Sequence, residues 1–178
     1  MIRLLLADDE DLVREALATL LELEPDFKVV AQAGDGERAV ELAAEYQPDL
    51  VVLDLEMPGL DGVAAASRIL AARRVPVVLL TRHARPGVLR RALAAGARAF
   101  VPKTTPADRL ARILRDVHAG GRYVDSEIAA TALTEGACPL SDRGSTSSAT
   151  SVTAPARRRS PSASISRPER CATTSPPR

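Results

Sequence analysis

Leu50-Val51-Val52-Leu53-Asp54-Leu55-Glu56-Met57-Pro58-Gly59 is the stretch whose reading decides the fold. Four consecutive aliphatic residues without polar alternation are the pattern of a strand buried on both faces, as in the middle of a parallel sheet. The run ends on Asp54, and Pro58-Gly59 turns the chain. An acid at the carboxyl end of a central strand stands where open α/β sheets bind their ligands. Taken alone, Asp54 is read equally well as a loop cap, and the flanking segments have to decide.

Upstream, Ile2–Ala7 is a short apolar strand that runs into Asp8-Asp9-Glu10. Asp11–Leu23 follows as a helix, with Leu12, Ala16, Leu20 and Leu23 at helical spacing and Pro25-Asp26 closing it. Phe27–Ala31 is a second strand, Gly34-Asp35-Gly36 a turn, and Glu37–Tyr46 a helix with Ala39, Val40, Leu42 and Ala43 inward. Downstream, Val63–Ala72 is an alanine-rich helix, and Val75–Leu80 is a fourth strand that stops on Thr81. Pro86–Ala95 is a helix ended by Gly96, a residue suited to the left-handed conformation. Arg98–Val101 is a fifth strand, left through Pro102-Lys103. Pro106–His118 is a helix with Leu110, Ile113, Leu114 and Val117 on one stripe, before Gly120-Gly121. Strands and helices alternate, and right-handed crossovers turn that alternation into a doubly wound parallel α/β sheet. The flavodoxin-like strand order 2-1-3-4-5 fits the count.

The 178 residues suffice for one domain with a real core and an appendage. The formal charge of +1 predicts no strong attraction to nucleic acid or membrane, yet it hides a split. Residues 144–178 hold six of the 24 basic groups and one of the 23 acidic ones, which leaves residues 1–143 mildly acidic. Cys138 and Cys171 have no CxxC or Cys/His spacing, so neither a disulfide framework nor a zinc site is indicated. Met1-Ile2-Arg3 leads straight into a strand rather than a signal peptide, and no apolar run approaches a membrane span, so a cytoplasmic location is expected.

The chemistry-bearing residues lie at strand ends: Asp8 and Asp9 after the first strand, Asp54 on the third, Thr81 on the fourth, Lys103 after the fifth. In a parallel sheet these ends share one edge. Crowded carboxylates repel, by roughly 1 kcal/mol per pair at 4 Å in water and about 4 at an effective dielectric of 20. A hard divalent cation relieves the repulsion, and an all-oxygen site that keeps several waters suits Mg²⁺. Singly, each residue has a plainer role: Asp8 or Asp9 as helix cap, Thr81 as strand-end hydroxyl, Lys103 as solvated charge. Jointly, each at the carboxyl end of its own strand, they point to a site.

These motifs resemble the receiver domain of two-component response regulators, from Met1 to about Gly121. The resemblance is carried by Leu-Ala-Asp8-Asp9-Glu10, Leu53-Asp54-Leu-Glu-Met57-Pro58-Gly59-Leu-Asp-Gly62, Leu80-Thr81 and Phe100-Val-Pro102-Lys103. It implies Asp54 as phosphoacceptor, Asp8 and Asp9 as metal-binding acids alongside Asp54, and Thr81 and Lys103 as partners of the phosphoryl group. The backbone carbonyl of Glu56 would complete the protein's share of the Mg²⁺ shell. It further implies a sensor histidine kinase as phosphoryl donor, a non-enzymatic signalling role, Phe100 as aromatic switch, and a homodimer on phosphorylation. One residue departs from the pattern: Arg82 follows Thr81 where the family usually has something small. Such a cation either slows attack of water on an acyl phosphate or points into solvent, and the second is the expectation. His83 and His118 read as surface groups.

Beyond a receiver at 1–121, residues 122–143 read as a linker. It carries a short amphipathic helix within Tyr123–Leu133 and then Thr134–Arg143, which is similar to the lead-in to a LuxR-type helix-turn-helix. Of the 35 residues from 144 to 178, 30 are Ser, Arg, Pro, Thr or Ala, a composition that predicts disorder. Some synonymous codons for Pro168–Ser175, read one frame over, give Gly-Thr-Val-Arg-Asn-His-Leu, similar to the recognition helix of that output domain. The tail therefore reads as a frameshifted remnant. No recognition helix for the major groove is left, and Arg157-Arg158-Arg159 supports only weak, non-specific attraction to DNA, so specific DNA binding is expected of intact relatives rather than of this chain. Two competing readings remain: an interaction-only receiver, against which the complete charged set argues, and a flavin carrier, whose phosphate Asp8-Asp9-Glu10 would repel.

Overall fold

The computed structural model describes residues 1–83, 86–126 and 128–130. Six strands, β1 (Ile2–Ala7), β2 (Phe27–Ala33), β3 (Leu50–Asp54), β4 (Val77–Thr81), β5 (Ala99–Pro102) and β6 (Tyr123–Val124), form one parallel sheet in the order β2-β1-β3-β4-β5-β6. Five helices cross between them: α1 (Asp11–Glu22), α2 (Gly36–Tyr46), α3 (Gly62–Ala72), α4 (Pro86–Ala94) and α5 (Ala107–His118). The expected doubly wound sheet is what forms, with the flavodoxin-like order over its first five strands.

Every residue of β3 and β4 is buried, which is why these two strands read as unbroken apolar runs. Alternate side chains feed two cores. Val51, Leu53, Val77, Leu79 and Phe100 pack with α2, α3 and α4 on one face, and Leu4, Leu6, Val52, Val78 and Val101 with α1 and α5 on the other. Each fully buried Leu or Val adds roughly 1.5–3 kcal/mol of burial. Gly96 has φ +95°, the left-handed conformation expected of it after α4.

Two features differ from the sequence reading. The sheet has a sixth strand: Tyr123 and Val124 pair with Ala99 and Phe100, and Ile128, in the helical residues that follow, joins the core beside Phe100. Two residues at an edge are too short to carry a strand pattern. In α1, the row Leu12, Ala16, Leu20, Leu23 does not face the core; Leu12 and Leu23 are 81% and 75% exposed, whereas Ala18 and Leu21 are buried. The helix carries two apolar tracks, and the one turned inward is set by how α1 seats on the sheet, not by its own periodicity.

Among the described residues no helix is long and apolar enough to cross a membrane. The lead-in at Thr134–Arg143, the Ser/Arg/Pro/Thr/Ala-rich tail and the codon-frame reading lie outside the described residues, as does the end of the expected helix at 131–133.

Candidate functional site

Backbone pairing at the carboxyl edge sets the positions of the site residues. Asp8 N donates to Ala33 O at 3.1 Å, Leu55 N to Leu80 O at 2.9 Å, and Lys103 N to Thr81 O at 2.8 Å. These bonds fasten the residues at or beside the ends of β1, β3 and β5 to their neighbouring strands. Gly62 opens α3 against the back of this edge: a Cβ there would run into the Asp54 carbonyl, so any larger residue displaces the strand end that carries Asp54. Asp61 beside it caps α3, accepting from Ala64 N at 2.7 Å.

Asp8, Asp54 and Thr81 are buried polar residues here, where the sheet would otherwise bury only carbon. Lys103 Nζ lies 2.8 Å from Asp8 Oδ2, 3.0 Å from Asp54 Oδ2 and 3.7 Å from Glu10 Oε1. One ammonium, itself 9% exposed, is therefore shared among three carboxylates. Burial pushes the Asp54 carboxyl above its usual range, with the Asp8 charge adding to the rise and Lys103 and the Glu56 backbone opposing it. Burial alone would depress Lys103, but Asp8 and Asp54 more than offset it, so its pKa is raised and it stays charged at neutral pH.

Four carboxylates, those of Asp8, Asp9, Glu10 and Asp54, gather here, and among the described residues their ion-paired cations are Lys103 and Arg82, while Arg14 donates to the Asp8 carbonyl. Among the described residues Asp8 Oδ2 is buried without a hydrogen bond and is ion-paired with Lys103. Asp8, Asp9 and Glu10 each offer an oxygen within 4.8 Å of the others. Hard, all-oxygen and under-neutralised, this cluster fits Mg²⁺. Of the residues expected around the ion, Asp8 and Asp9 stand together. Asp54 is joined to Asp8 through the shared lysine, and the Glu56 side chain is exposed. Glu10 was not among the expected acids, and no spacing rule singles it out.

Thr81 Oγ1 donates to His83 O at 2.8 Å and accepts from His83 N at 3.1 Å, so its hydroxyl is closed into its own loop. Phe100 is fully buried, opposite Leu79 on one side and Val124 on the other. His83 and His118 are exposed, as expected. Arg82 does not simply extend into solvent: it is ion-paired with Glu10, whose carboxylate stands between it and Lys103. Beside Lys103 runs an apolar groove of about 250 Å³ lined by Val13, Leu17 and Leu20 of α1 and by Leu80, Ala107 and Leu110.

A doubly wound parallel sheet with an acidic pocket and a shared lysine at its carboxyl edge defines a receiver-type signalling domain. The chain belongs to the response regulator receiver domain family, whose model it matches over residues 4–115. It is 37% identical over 143 residues to the transcriptional regulatory protein DesR of Bacillus subtilis (strain 168), covering 80% of this chain and 71% of DesR. The transcriptional regulatory protein LiaR of the same organism is 36% identical over 134 residues, 75% of this chain and 64% of LiaR. Against PdtaR of Mycobacterium tuberculosis the match spans 49% of that protein, so the chain corresponds to about half to seven-tenths of these regulators. The solved receiver domain of the NarL regulator of M. tuberculosis superposes with a TM-score of 0.65 at 32% identity, covering 67% of this chain and 97% of that one. A LuxR-family response regulator from Aurantimonas sp. SI85-9A1 does so at 0.71 and 32%, covering 76% and 98%.

Proposed function

We propose that this receiver accepts a phosphoryl group on Asp54 from a phosphohistidine of a sensor histidine kinase in the cytoplasm. The observation that carries the reading is the buried Asp54 carboxylate at the end of β3, with the Lys103 ammonium 3.0 Å away and the acidic cluster beside it. An Asp54 oxygen attacks phosphorus; the O–P bond forms as the P–N bond to the kinase imidazole breaks, and the imidazole, already protonated on its other ring nitrogen, takes the electron pair and leaves neutral. Lys103, lying between Asp8 and Asp54, is placed to neutralise a phosphoryl oxygen. Asp8, Asp9, Asp54 and the Glu56 carbonyl would hold Mg²⁺, which supplies charge neutralisation for the incoming dianion. The chain is the acceptor and turns over no substrate of its own, so it acts as a signal carrier rather than an enzyme. The uncovered apolar track of α1 and the groove beside Lys103 give a protein donor a surface to dock on.

The acyl phosphate places about two negative charges where the carboxylate had one. Thr81 is two-state in this reading: its hydroxyl leaves the His83 backbone and donates to a phosphoryl oxygen, and Phe100 moves toward the space it vacates. Phosphorylation thereby biases the face made by α4, β5 and α5 between two arrangements. Transcriptional control, named for DesR and LiaR, is the output into which such a switch would feed, through a homodimer of the phosphorylated form. We assign no base-specific DNA contact to the described residues.

The test is direct. The folded chain, given Mg²⁺ and a small phosphodonor such as phosphoramidate, gains the mass of one phosphoryl group, and Asp54→Ala gains none. A wild-type chain that is folded, Mg²⁺-loaded and still unmodified overturns the reading and leaves an interaction-only module.

A further inference from the structure

Arg82 and Glu10 are far apart in sequence and meet at the mouth of the Asp54 pocket. Glu10 is the residue that caps the start of α1, yet its side chain makes no capping bond. The Glu10 backbone N–H is served instead by Asp8 Oδ1 at 3.0 Å, and its carboxylate reaches across to Arg82 and to within 3.7 Å of Lys103. Arg82 immediately follows buried Thr81, and Asp54 and Asp8 are among the charges that bear on its guanidinium. Three cationic and anionic groups, Lys103, Glu10 and Arg82, thus form a chain from the floor of the pocket to its rim.

We propose that Arg82 is a second phosphoryl-contacting cation, held by Glu10 while Asp54 is unmodified and transferred to the phosphoryl oxygens once Asp54 is phosphorylated. The inference rests on the phosphoacceptor reading above and adds to it a determinant of how long the phosphorylated state lasts. Its driving force is charge: a single carboxylate on Glu10 competes with a group of about two negative charges, for which a planar guanidinium is the better bidentate partner. Its consequence is geometric. Hydrolysis needs a water in line with the Asp54 O–P bond, on the side of phosphorus that faces the mouth, and a guanidinium lying there occupies that approach. Arg82 therefore prolongs the acyl phosphate. The same contact strengthens binding of beryllofluoride, which imitates the phosphoryl group on a carboxylate.

The experiment follows first-order decay of the phosphorylated chain in Mg²⁺ after the phosphodonor is removed. Arg82→Ala is expected to decay faster, roughly five- to twentyfold, the worth of a charge-assisted contact at a half-exposed site. Arg82→Lys should lie between, because it keeps the charge and loses the fork. Beryllofluoride titration, read by protein NMR, should weaken in Arg82→Ala in the same order. Arg82→Ala that takes up phosphate and decays at the wild-type rate or slower overturns the inference and leaves the phosphoacceptor reading standing. Wild-type protein that takes up none overturns both.

Discussion

The two edges of the sheet each hold a cluster of acidic side chains around a basic one, and the two clusters have opposite character. At the amino edge, Arg115 of α5 grips the residues that lead into β2: Nε donates to Asp26 Oδ2 at 2.8 Å, and Nη2 to Asp26 Oδ1 and Glu24 Oε2, each at 2.6 Å. The guanidinium stacks 4.9 Å from the centroid of the Phe27 ring. Here the arginine holds the Asp26 carboxyl below its usual range. At the carboxyl edge, one lysine serves Asp8 and Asp54, Asp8 Oδ2 lacks a hydrogen bond among the described residues, and burial pushes Asp54 above that range. A cluster whose charges are all answered ties elements together. A buried cluster left short of positive charge is under tension that an incoming cation or phosphoryl group relieves.

Cutting each cluster at its cation gives the sharpest contrast. Lys103→Ala should lower the rate of phosphoryl uptake by about 100-fold, the typical cost of one charge-stabilising donor, measured by intact mass against time. Arg115→Ala should leave that rate unchanged and lower Tm by roughly 2–5 °C through lost stacking and pairing. Equal loss of uptake in both variants would erase the distinction between the two edges.

Removing one negative charge at each edge should move stability in opposite directions. Asp54→Asn removes a carboxylate whose ionised form burial disfavours, so metal-free Tm is expected to rise by roughly 2–4 °C. Asp26→Asn removes one whose ionised form Arg115 favours, so Tm should fall. Adding Mg²⁺ should raise Tm of the wild type by mass action, and Asp8→Asn should remove most of that rise. Differential scanning at matched ionic strength reads all three, and a fall in Asp54→Asn would show that the carboxyl edge is as well satisfied as the amino edge.

The same contrast explains what the sequence disclosed. β3 and β4 are legible because strands buried on both faces have no polar residue to blur them, and Asp54 and Thr81 stand out as the polar residues on which those runs end. Asp8, Asp54 and Lys103 could be gathered onto one edge because a parallel sheet sends every strand's carboxyl end the same way. What escaped depends on tertiary seating. The inward track of α1 could not be told from the outward one, because Leu12, Leu20 and Leu23 are as apolar as Leu21. β6 is two residues paired to Ala99 and Phe100, without a periodicity of its own. The Arg82–Glu10 pair joins loops after different strands, so nothing local announces it, although the size and charge of Arg82 mark the position.

The finest test concerns the proton. A carboxylate must be ionised to attack phosphorus, so Asp54 should lose nucleophilicity on acidification at a pH above 3.8, the ordinary value for this group. Followed by carboxyl-carbon NMR in metal-free protein, the Asp54 midpoint should lie above 3.8 and fall in Asp8→Asn, since the Asp8 charge contributes to the rise. The linked stability has the matching sign. Asp54 is the easier to protonate when folded, so its contribution is complete below 3.8 and is lost as pH climbs through the folded-state value. Asp26 runs the other way: its contribution is complete above 3.8 and is lost as pH drops through its lowered value. Between pH 3.8 and the Asp54 midpoint, acid should therefore relieve the carboxyl edge while leaving the amino edge paired. An Asp54 midpoint at or below 3.8 would mean that Lys103 outweighs burial, and that the pocket is already neutral enough to need no Mg²⁺.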